Sequence, residues 1–165
     1  MGIIDKFYAH YGGKNMLKKF YRSGLIILFS VFLLSACSDQ KQDGPSAKDY
    51  FNRAYGFVDA GYPQDAIQLY TLAIEKDPTY IDAYYNRGVM HYVLREYKDA
   101  LADLNKVIEA RPDYAIAYAS RGSVYDKINE SQKALEDYRK AAQLGDKDAQ
   151  HYLNSKGIKW QDNQR

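Results

Sequence analysis

Apolar side chains recur every three or four positions from about residue 47 onward, with polar residues between them. Residues 84–92 and 100–108 show this spacing, which places the apolar side chains on one face of an α-helix. Pro78 and Pro112 follow Asp77 and Arg111, and a proline disfavours helical geometry at the residue before it. The pattern therefore predicts pairs of antiparallel helices, each pair ending near a proline.

The pattern repeats at a constant interval along the chain. The residues that recur at this interval are Tyr50, Tyr84 and Tyr118; Arg53, Arg87 and Arg121; and Ala66, Ala100 and Ala134. Small residues also align at positions 54, 88 and 122, where they would let paired helices approach closely. One helix pair cannot bury its own apolar face, so neighbouring pairs are expected to stack.

The length of this period, about 34 residues, and the order of its residues resemble the tetratricopeptide repeat (TPR) family. The resemblance covers residues 47–80, 81–114 and 115–148, and implies an all-α, right-handed TPR solenoid of three helix-turn-helix repeats. In the third repeat Gly145 replaces the proline signal, and glycine can end a helix in a left-handed cap. Residues 147–155 then form a predicted capping helix. Residues 156–165 form a tail expected to fray, with Trp160 placed to fold back onto the cap.

The first 37 residues show a different pattern. An uncharged apolar run from Leu25 to Leu34 follows Lys18, Lys19 and Arg22, which is the layout of a secretory signal over residues 1–36. The run is shorter than the roughly 20 residues that a membrane-spanning helix needs. Met16 begins a segment of ordinary signal length, so we expect translation to start there.

The apolar run ends in Leu34-Ser35-Ala36-Cys37, which resembles the lipobox of bacterial lipoproteins. The resemblance implies that the Cys37 sulfur receives a diacylglycerol, that the chain is cut before it, and that the new amino terminus is acylated. The alternative is an uncleaved signal anchor with an incidental cysteine. Residues 37–46 lack apolar side chains after the cysteine and are expected to form a flexible tether. In enterobacterial-type sorting of such lipoproteins, an aspartate after the cysteine favours retention in the inner membrane, so Ser38 implies the outer membrane, facing the periplasm.

Charge is unevenly distributed along the chain. Of 23 basic and 21 acidic residues, five basic ones and one acid lie in residues 1–36. The remaining 18 basic and 20 acidic residues give a net charge of −2, with no basic stripe. Nucleic-acid binding needs clustered basic side chains, so the sequence argues against it. The single cysteine excludes a disulfide within the chain.

The sequence offers little for catalysis. His91 aligns with Phe57 and Tyr125, which predicts a helix-packing imidazole, and His151 is expected to be exposed on the capping helix. No metal-ligand spacing and no glycine-rich phosphate loop occurs, and most acidic side chains are expected to be ordinary solvated charges. We therefore expect no enzymatic activity, no metal and no cofactor other than the covalent lipid.

The TPR resemblance implies a binding surface, because the first helix of each repeat in that family lines a concave groove for peptides or partner helices. The residues expected to line it here are Phe51, Asn52, Tyr55, Val58, Tyr85, Asn86, Val89, Tyr92, Ser120, Ser123 and Lys127. Aromatic side chains are favoured interface anchors, although they can equally pack between repeats. One TPR subgroup holds the carboxylate tail of cytosolic chaperones. At its matching positions this chain has Phe51, Tyr55, Asn86, Ile116 and Ser120, of which Asn86 alone fits.

These features predict a lipid-anchored adaptor that recruits a protein or peptide partner in the periplasm. Small TPR lipoproteins that help to assemble pili or secretins are the nearest analogy for a role in envelope-complex assembly. The alternative is a structural subunit whose groove is filled by a second copy of the chain.

Overall fold

The structure, a computed structural model, describes residues 44–161. Within this range the chain forms seven α-helices and no strand, which confirms the predicted all-α architecture. The helices are α1 (Ala47–Asp59), α2 (Pro63–Lys76), α3 (Ile81–Val93), α4 (Tyr97–Ala110), α5 (Ala115–Lys127), α6 (Ser131–Gln143) and α7 (Lys147–Ser155). No helix of this range is long and apolar enough to cross a membrane. Cys37, the signal, most of the tether and the last four residues lie outside the described residues.

The helices form three pairs and one terminal helix. α1 contacts α2, α3 contacts α4, and α5 contacts α6, while α2 contacts α3 and α4 contacts α5. α7 packs against α6. Each pair therefore lies against the next, as stacked repeats require.

Local sequence explains where several helices begin. The Ser46 side chain accepts a hydrogen bond from the Asp49 amide, and the Asp49 carboxylate accepts one from the Ser46 amide, so a capping box starts α1. α2 begins with Pro63 at its first position, where a proline lacks no needed donor. Asp146 caps α7 by accepting from the Ala149 amide at 2.8 Å.

The turns inside the three pairs share one backbone feature. Gly61, Arg95 and Asn129 hold the same position in successive repeats and have φ angles of 79°, 64° and 62°. These left-handed conformations reverse the chain between the first and second helix of each pair. Gly145 has a φ of 101° and stands between α6 and α7, as predicted from the sequence.

Small side chains allow the helices of a pair to approach closely. A Cβ built on Gly88 would lie 3.1 Å from the Asp103 Cβ, and one on Gly122 would lie 3.0 Å from the Tyr138 ring. The fully buried apolar residues are small or medium in size, apart from Tyr70: Ala54, Ala66, Ala73, Ala83, Ala100, Ala117, Ala134, Ala141, Ala142, Val107, Val124, Leu104 and Leu153.

The C-terminal end of the solenoid is covered. Ala149 and Leu153 of α7 are buried against the third pair, and Ile158 and Trp160 pack onto the same cluster. The Trp160 indole donates a hydrogen bond to the Asn154 side-chain oxygen at 3.1 Å. Trp160 thus folds back onto α7, as the sequence suggested, and His151 is exposed there.

Candidate partner-binding site

The first helices of the second and third pairs lie side by side. α3 contacts α5, and the Tyr85 hydroxyl of α3 lies 3.4 Å from the Ser120 hydroxyl of α5. We call the surface along α1, α3 and α5 the first-helix face. It comprises Phe51, Asn52, Tyr55, Val58, Tyr85, Asn86, Val89, Tyr92, Val93, Ile116, Ser120, Ser123 and Lys127, of which Val93 and Ile116 were not among the predicted groove residues.

Phe51 is at the centre of an aromatic cluster on this face. Its ring centroid lies 4.8 Å from that of Tyr80, 5.3 Å from that of Tyr55 and 5.5 Å from that of Tyr70. Because Tyr80 directly precedes α3, the Phe51 ring joins the first and second pairs. Tyr55 lies at the outside of the cluster with 46% of its surface exposed. It can therefore contact a partner while it packs against Phe51.

The aromatic residues of α3 make more of their contacts within the fold than Tyr55 does. The Tyr85 ring packs edge-on against Tyr114 with centroids 5.6 Å apart, and burial raises the pKa of the Tyr85 hydroxyl. The Tyr92 ring lies 6.1 Å from that of Tyr97. Both side chains are partly buried, so they hold neighbouring helices together and expose only part of each ring.

The polar residues of the face also have internal partners. The Asn86 amide nitrogen donates to the Asp82 carbonyl at 2.7 Å. The Ser123 hydroxyl donates to the Ala119 carbonyl at 3.0 Å and accepts from the Tyr138 hydroxyl at 3.3 Å. These bonds orient the side chains, and the Asn86 side-chain oxygen keeps its capacity to accept a hydrogen bond from a ligand.

Exposure divides the predicted groove residues into two groups. Asn52, Tyr55 and Lys127 are exposed, and the others are partly buried. The assignment of these residues to partner binding stays a prediction.

Two apolar residues that the sequence-based prediction omitted are among the most exposed of the face. Val93 is 56% exposed and Ile116 is 43% exposed. Val93 occupies the same repeat position as Lys127, and Ile116 the same position as Asp82. Because Lys127 was a predicted groove residue, its equivalence to Val93 could have identified Val93 from the sequence. Each of the three first helices thus carries one exposed apolar side chain, Tyr55, Val93 or Ile116.

Buried ion pairs fix the first helices to the second helices. Arg87 donates to both Asp103 carboxylate oxygens, at 2.8 and 2.7 Å, and these hydrogen bonds raise the pKa of the guanidinium. Arg121 makes the same pair with Asp137, at 2.8 and 2.7 Å. Most acidic side chains were expected to be solvated, and Asp103 and Asp137 are exceptions, each 5% exposed. Each follows its arginine at the same interval, a spacing visible in the sequence.

The same arginines reach into the preceding pair. Arg87 Nη1 donates to the Thr71 hydroxyl at 3.0 Å, and Arg121 Nη1 donates to the Asn105 side-chain oxygen at 2.7 Å. Bidentate pairs of this kind have restricted geometry. They hold three helices in one arrangement, so the first-helix face is presented on a rigid support.

One group of side chains brings possible metal ligands together. Ligand atoms of His91 in α3, of Glu96 at the N-cap of α4 and of Asp99 in α4 lie within 4.8 Å of one another. The Glu96 carboxylate is 2.7 Å from His91 Nδ1, and both carboxylates are exposed. The hydrogen bond to Glu96 already accounts for the position of a largely buried imidazole.

Known proteins share this architecture. The sequence profile of the tetratricopeptide repeat matches residues 81–114 and again residues 115–148. The second TPR domain of human RPAP3, solved in complex with the HSP70 peptide SGPTIEEVD, superimposes with a TM-score of 0.62 at 26% identity, covering 68% of this chain and 96% of that one. Residues 81–148 thus contain two tetratricopeptide repeats. The described residues form the all-α TPR solenoid that the repeat period predicted.

Two further TPR structures are similar. The second TPR of Spaghetti (RPAP3), bound to the HSP90 peptide SRMEEVD, has a TM-score of 0.59 at 25% identity and covers 62% of this chain and 95% of that one. MamA has a TM-score of 0.61 at 27% identity and covers 72% of this chain and 68% of its own. A search of curated proteins gave no match. The TPR fold is typically a protein-interaction scaffold, and peptide-bound structures are among its neighbours here.

Proposed function

We propose that this TPR protein is a lipid-anchored adaptor of the bacterial envelope that binds a protein or peptide partner on its first-helix face. The observation that carries the proposal is that each first helix exposes one apolar side chain, Tyr55, Val93 or Ile116. Apolar side chains left exposed on a rigid surface can serve as anchors for a partner.

The surrounding packing supports this role. Phe51 and Tyr85 are held by ring contacts, and the Arg87–Asp103 pair fixes the helices beneath them. A partner therefore has few side chains to immobilise on binding, which lowers the entropic cost of association. The ring of Tyr55 supplies area for an apolar anchor of the partner.

The partner class follows from the residues of the face. The RPAP3 domains bind peptides that end in the acidic sequence EEVD. At the positions with which that TPR subgroup holds a carboxylate, this chain has Asn86 but no basic residue, and Ile116 and Tyr55 are apolar. We therefore expect a partner segment with apolar side chains at the contact positions, rather than an acidic C-terminal tail.

Anchoring rests on the sequence alone. The lipobox-like Leu34-Ser35-Ala36-Cys37 ends an apolar run, and two or more acyl chains bind a membrane stably where one does not. The protein would then act at the periplasmic side of the outer membrane, in the assembly of an envelope complex. Labelling with radioactive palmitate tests this directly. We expect label in the native protein and in a Ser38→Ala control, and none in Cys37→Ser, whose label would contradict lipidation.

The binding face is tested by capture of partners from detergent-solubilised membranes. A Tyr55→Ser, Ile116→Ser variant changes two exposed side chains, so its helical circular dichroism should match that of the native protein. Tyr62→Ser is the matched control, because Tyr62 is 57% exposed and lies between α1 and α2, outside the first-helix face. A partner kept by the control and lost by the double variant supports the proposal. Equal capture by all three proteins would refute the first-helix face as the site.

A further inference from the structure

The second helix pair brings three possible metal ligands together where α3 ends and α4 begins. His91 lies in the last turn of α3, Glu96 is the N-cap of α4, and Asp99 lies in the first turn of α4. Their ligand atoms lie within 4.8 Å of one another, and a Glu96 carboxylate oxygen is 2.7 Å from His91 Nδ1. The ligand atoms of one zinc ion are about 3.3 Å apart. Small rotations of the exposed Glu96 and Asp99 side chains would therefore complete a common site.

The two ring nitrogens of His91 face different groups. Nδ1 faces Glu96, and Nε2 lies 3.9 Å from a carboxylate oxygen of the buried Asp103. The side chain of His91 is only 15% exposed, so the surrounding helices restrict its rotation. A metal-binding histidine commonly directs its other nitrogen at a carboxylate. Nδ1 is therefore the nitrogen that is positioned to bind a metal ion, and Asp103 is the group that orients the ring.

The charges at these contacts suit a divalent cation. Three carboxylates approach the imidazole, those of Glu96, Asp99 and Asp103. Arg87 neutralises one of them through its two hydrogen bonds to Asp103. A histidine binds a metal ion in its neutral form, so the two remaining carboxylates balance the charge of one divalent ion.

The other two pairs do not offer this set of ligands. The positions of His91, Glu96 and Asp99 are occupied by Phe57, Tyr62 and Asp65 in the first pair and by Tyr125, Glu130 and Lys133 in the third. In the third pair Lys133 Nζ lies 5.6 Å from the centroid of the Tyr125 ring, so the repeat brings these positions together whichever residues occupy them. Phe57 and Tyr125 also show that an aromatic ring is sufficient for helix packing here. A histidine with two carboxylates is therefore an addition that the fold does not require.

We propose that His91 Nδ1, Glu96 and Asp99 bind a divalent metal ion of the first transition series, zinc or a neighbour of zinc, with water at the remaining coordination positions. An imidazole nitrogen with carboxylate oxygens suits such an ion, whereas calcium and magnesium prefer oxygen ligands alone. On binding, the ion takes the place of the proton between His91 and Glu96, which is released to solvent. The sequence-based expectation of no metal did not include this site, because its ligands meet across a turn and not at a familiar motif spacing.

The bound ion links the end of α3 to the start of α4. Val93, an exposed residue of the first-helix face, lies between His91 and Glu96 in the chain. The ion therefore restrains the end of α3 that carries Val93 and stabilises the second pair. A ligand that binds only the folded chain raises its stability, so zinc should raise the unfolding temperature of the native protein.

Calorimetric titration of the full chain tests the site. The protein is prepared in mild detergent without an affinity tag and is freed of metal by a chelator. Zinc chloride should bind as one ion per chain, and magnesium chloride should give no measurable binding. His91→Phe introduces the residue that the first pair has at this position, so the helices should still pack, and zinc binding should weaken at least about tenfold. Glu96→Gln and Asp99→Asn should each weaken zinc binding severalfold.

His151→Ala is the matched control, because His151 is an exposed histidine of α7, and this variant should bind zinc as the native protein does. Two further measurements separate a metal site from a hydrogen bond between His91 and Glu96. Nitrogen NMR of labelled histidine should show zinc coordinated through Nδ1. Zinc should raise the unfolding temperature of the native protein but not that of His91→Phe.

Several results would overturn the proposal. Equal zinc affinity in His91→Phe and the native protein, or loss of binding in His151→Ala, would place the ion elsewhere. Coordination through Nε2 would contradict the geometry. Magnesium bound as tightly as zinc would indicate exposed acidic side chains only, and undetectable zinc binding would leave a hydrogen bond between His91 and Glu96 and no metal site.

Discussion

Replacing Gly122 with alanine tests how closely α5 and α6 approach. The new Cβ would lie 3.0 and 3.1 Å from two carbons of the Tyr138 ring and 3.2 Å from the Ala134 carbonyl oxygen. Favourable carbon contacts are about 3.5–4.0 Å, so the ring must move by roughly 0.5 Å. The Tyr138 ring is not free to do so. Its hydroxyl donates to Ser123 and is 3.0 Å from an Asp126 carboxylate oxygen, and its ring packs against the Tyr152 ring, with centroids 4.9 Å apart.

The expected loss follows from three opposing effects. Overpacking a close contact costs about 1–3 kcal/mol, and weakening a hydrogen bond of Tyr138 costs about 1 kcal/mol more. Alanine in a helix is favoured over glycine by about 1 kcal/mol. Gly122→Ala should therefore lower the free energy of unfolding by about 2 kcal/mol.

Gly56→Ala is the matched control, because Gly56 lies within α1 and a Cβ there would meet no atom within 4 Å. The helix preference alone should then raise the free energy of unfolding by about 1 kcal/mol. Urea unfolding followed by far-ultraviolet circular dichroism measures both variants. If Gly122→Ala is as stable as Gly56→Ala, the close approach of α5 and α6 does not constrain this position and the reasoning fails.

Three further outcomes concern buried polar groups. Tyr70 has a buried hydroxyl without a hydrogen-bond partner among the described residues, so Tyr70→Phe should keep or slightly raise the free energy of unfolding. Tyr138→Phe removes a bonded hydroxyl and should lower it by about 1 kcal/mol. Urea titrations that give the opposite order of stability would contradict this. Burial raises the pKa of Tyr138 to about 12, so its contribution to stability is complete below the usual tyrosine pKa of about 10 and is lost as the pH rises through 12. Across that pH window the free energy of unfolding should fall less steeply with pH in Tyr138→Phe than in the native protein. An equal slope in the two proteins would contradict the raised pKa. A double-mutant cycle of Arg87→Ala and Asp103→Ala should give a coupling free energy of about 2 kcal/mol. This is less than for a fully buried pair, because the Arg87 side chain is 19% exposed. Strictly additive losses of stability would mean that the pair does not stabilise the fold.

The sequence was sufficient to predict the helices and their stacking. Tyrosine, alanine and small residues recur at a fixed interval because each repeat makes the same contacts between its two helices. Ala54, Gly88 and Gly122 lie at these contacts. The arginine recurrence was equally visible, but its partner was not recognised. An acidic residue on a helix is usually solvated, and only the packing of first on second helix shows that Asp103 and Asp137 are buried.

The binding residues were less predictable for a physical reason. Helical periodicity shows which residues share one side of a helix, but it does not show which of their side chains contact the next repeat. Tyr85 is held by Tyr114 and Ser120, which come from later in the chain. Ile116 and Val93 stay exposed because no neighbouring helix covers them. These differences depend on tertiary contacts between repeats, which single positions do not encode.

The unlike ends of the solenoid have a consequence for its motions. Leu153 and Trp160 close the third pair, whereas the first pair, among the described residues, has a neighbour on one side and no arginine–aspartate lock of its own. In an array whose units contact only adjacent units, opening begins at the least supported end. Amide hydrogens of α1 and α2 should accordingly exchange with solvent before those of α5 and α6. Any partner that packs against the first pair would add a neighbour there, so exchange would slow well beyond the residues that the partner touches.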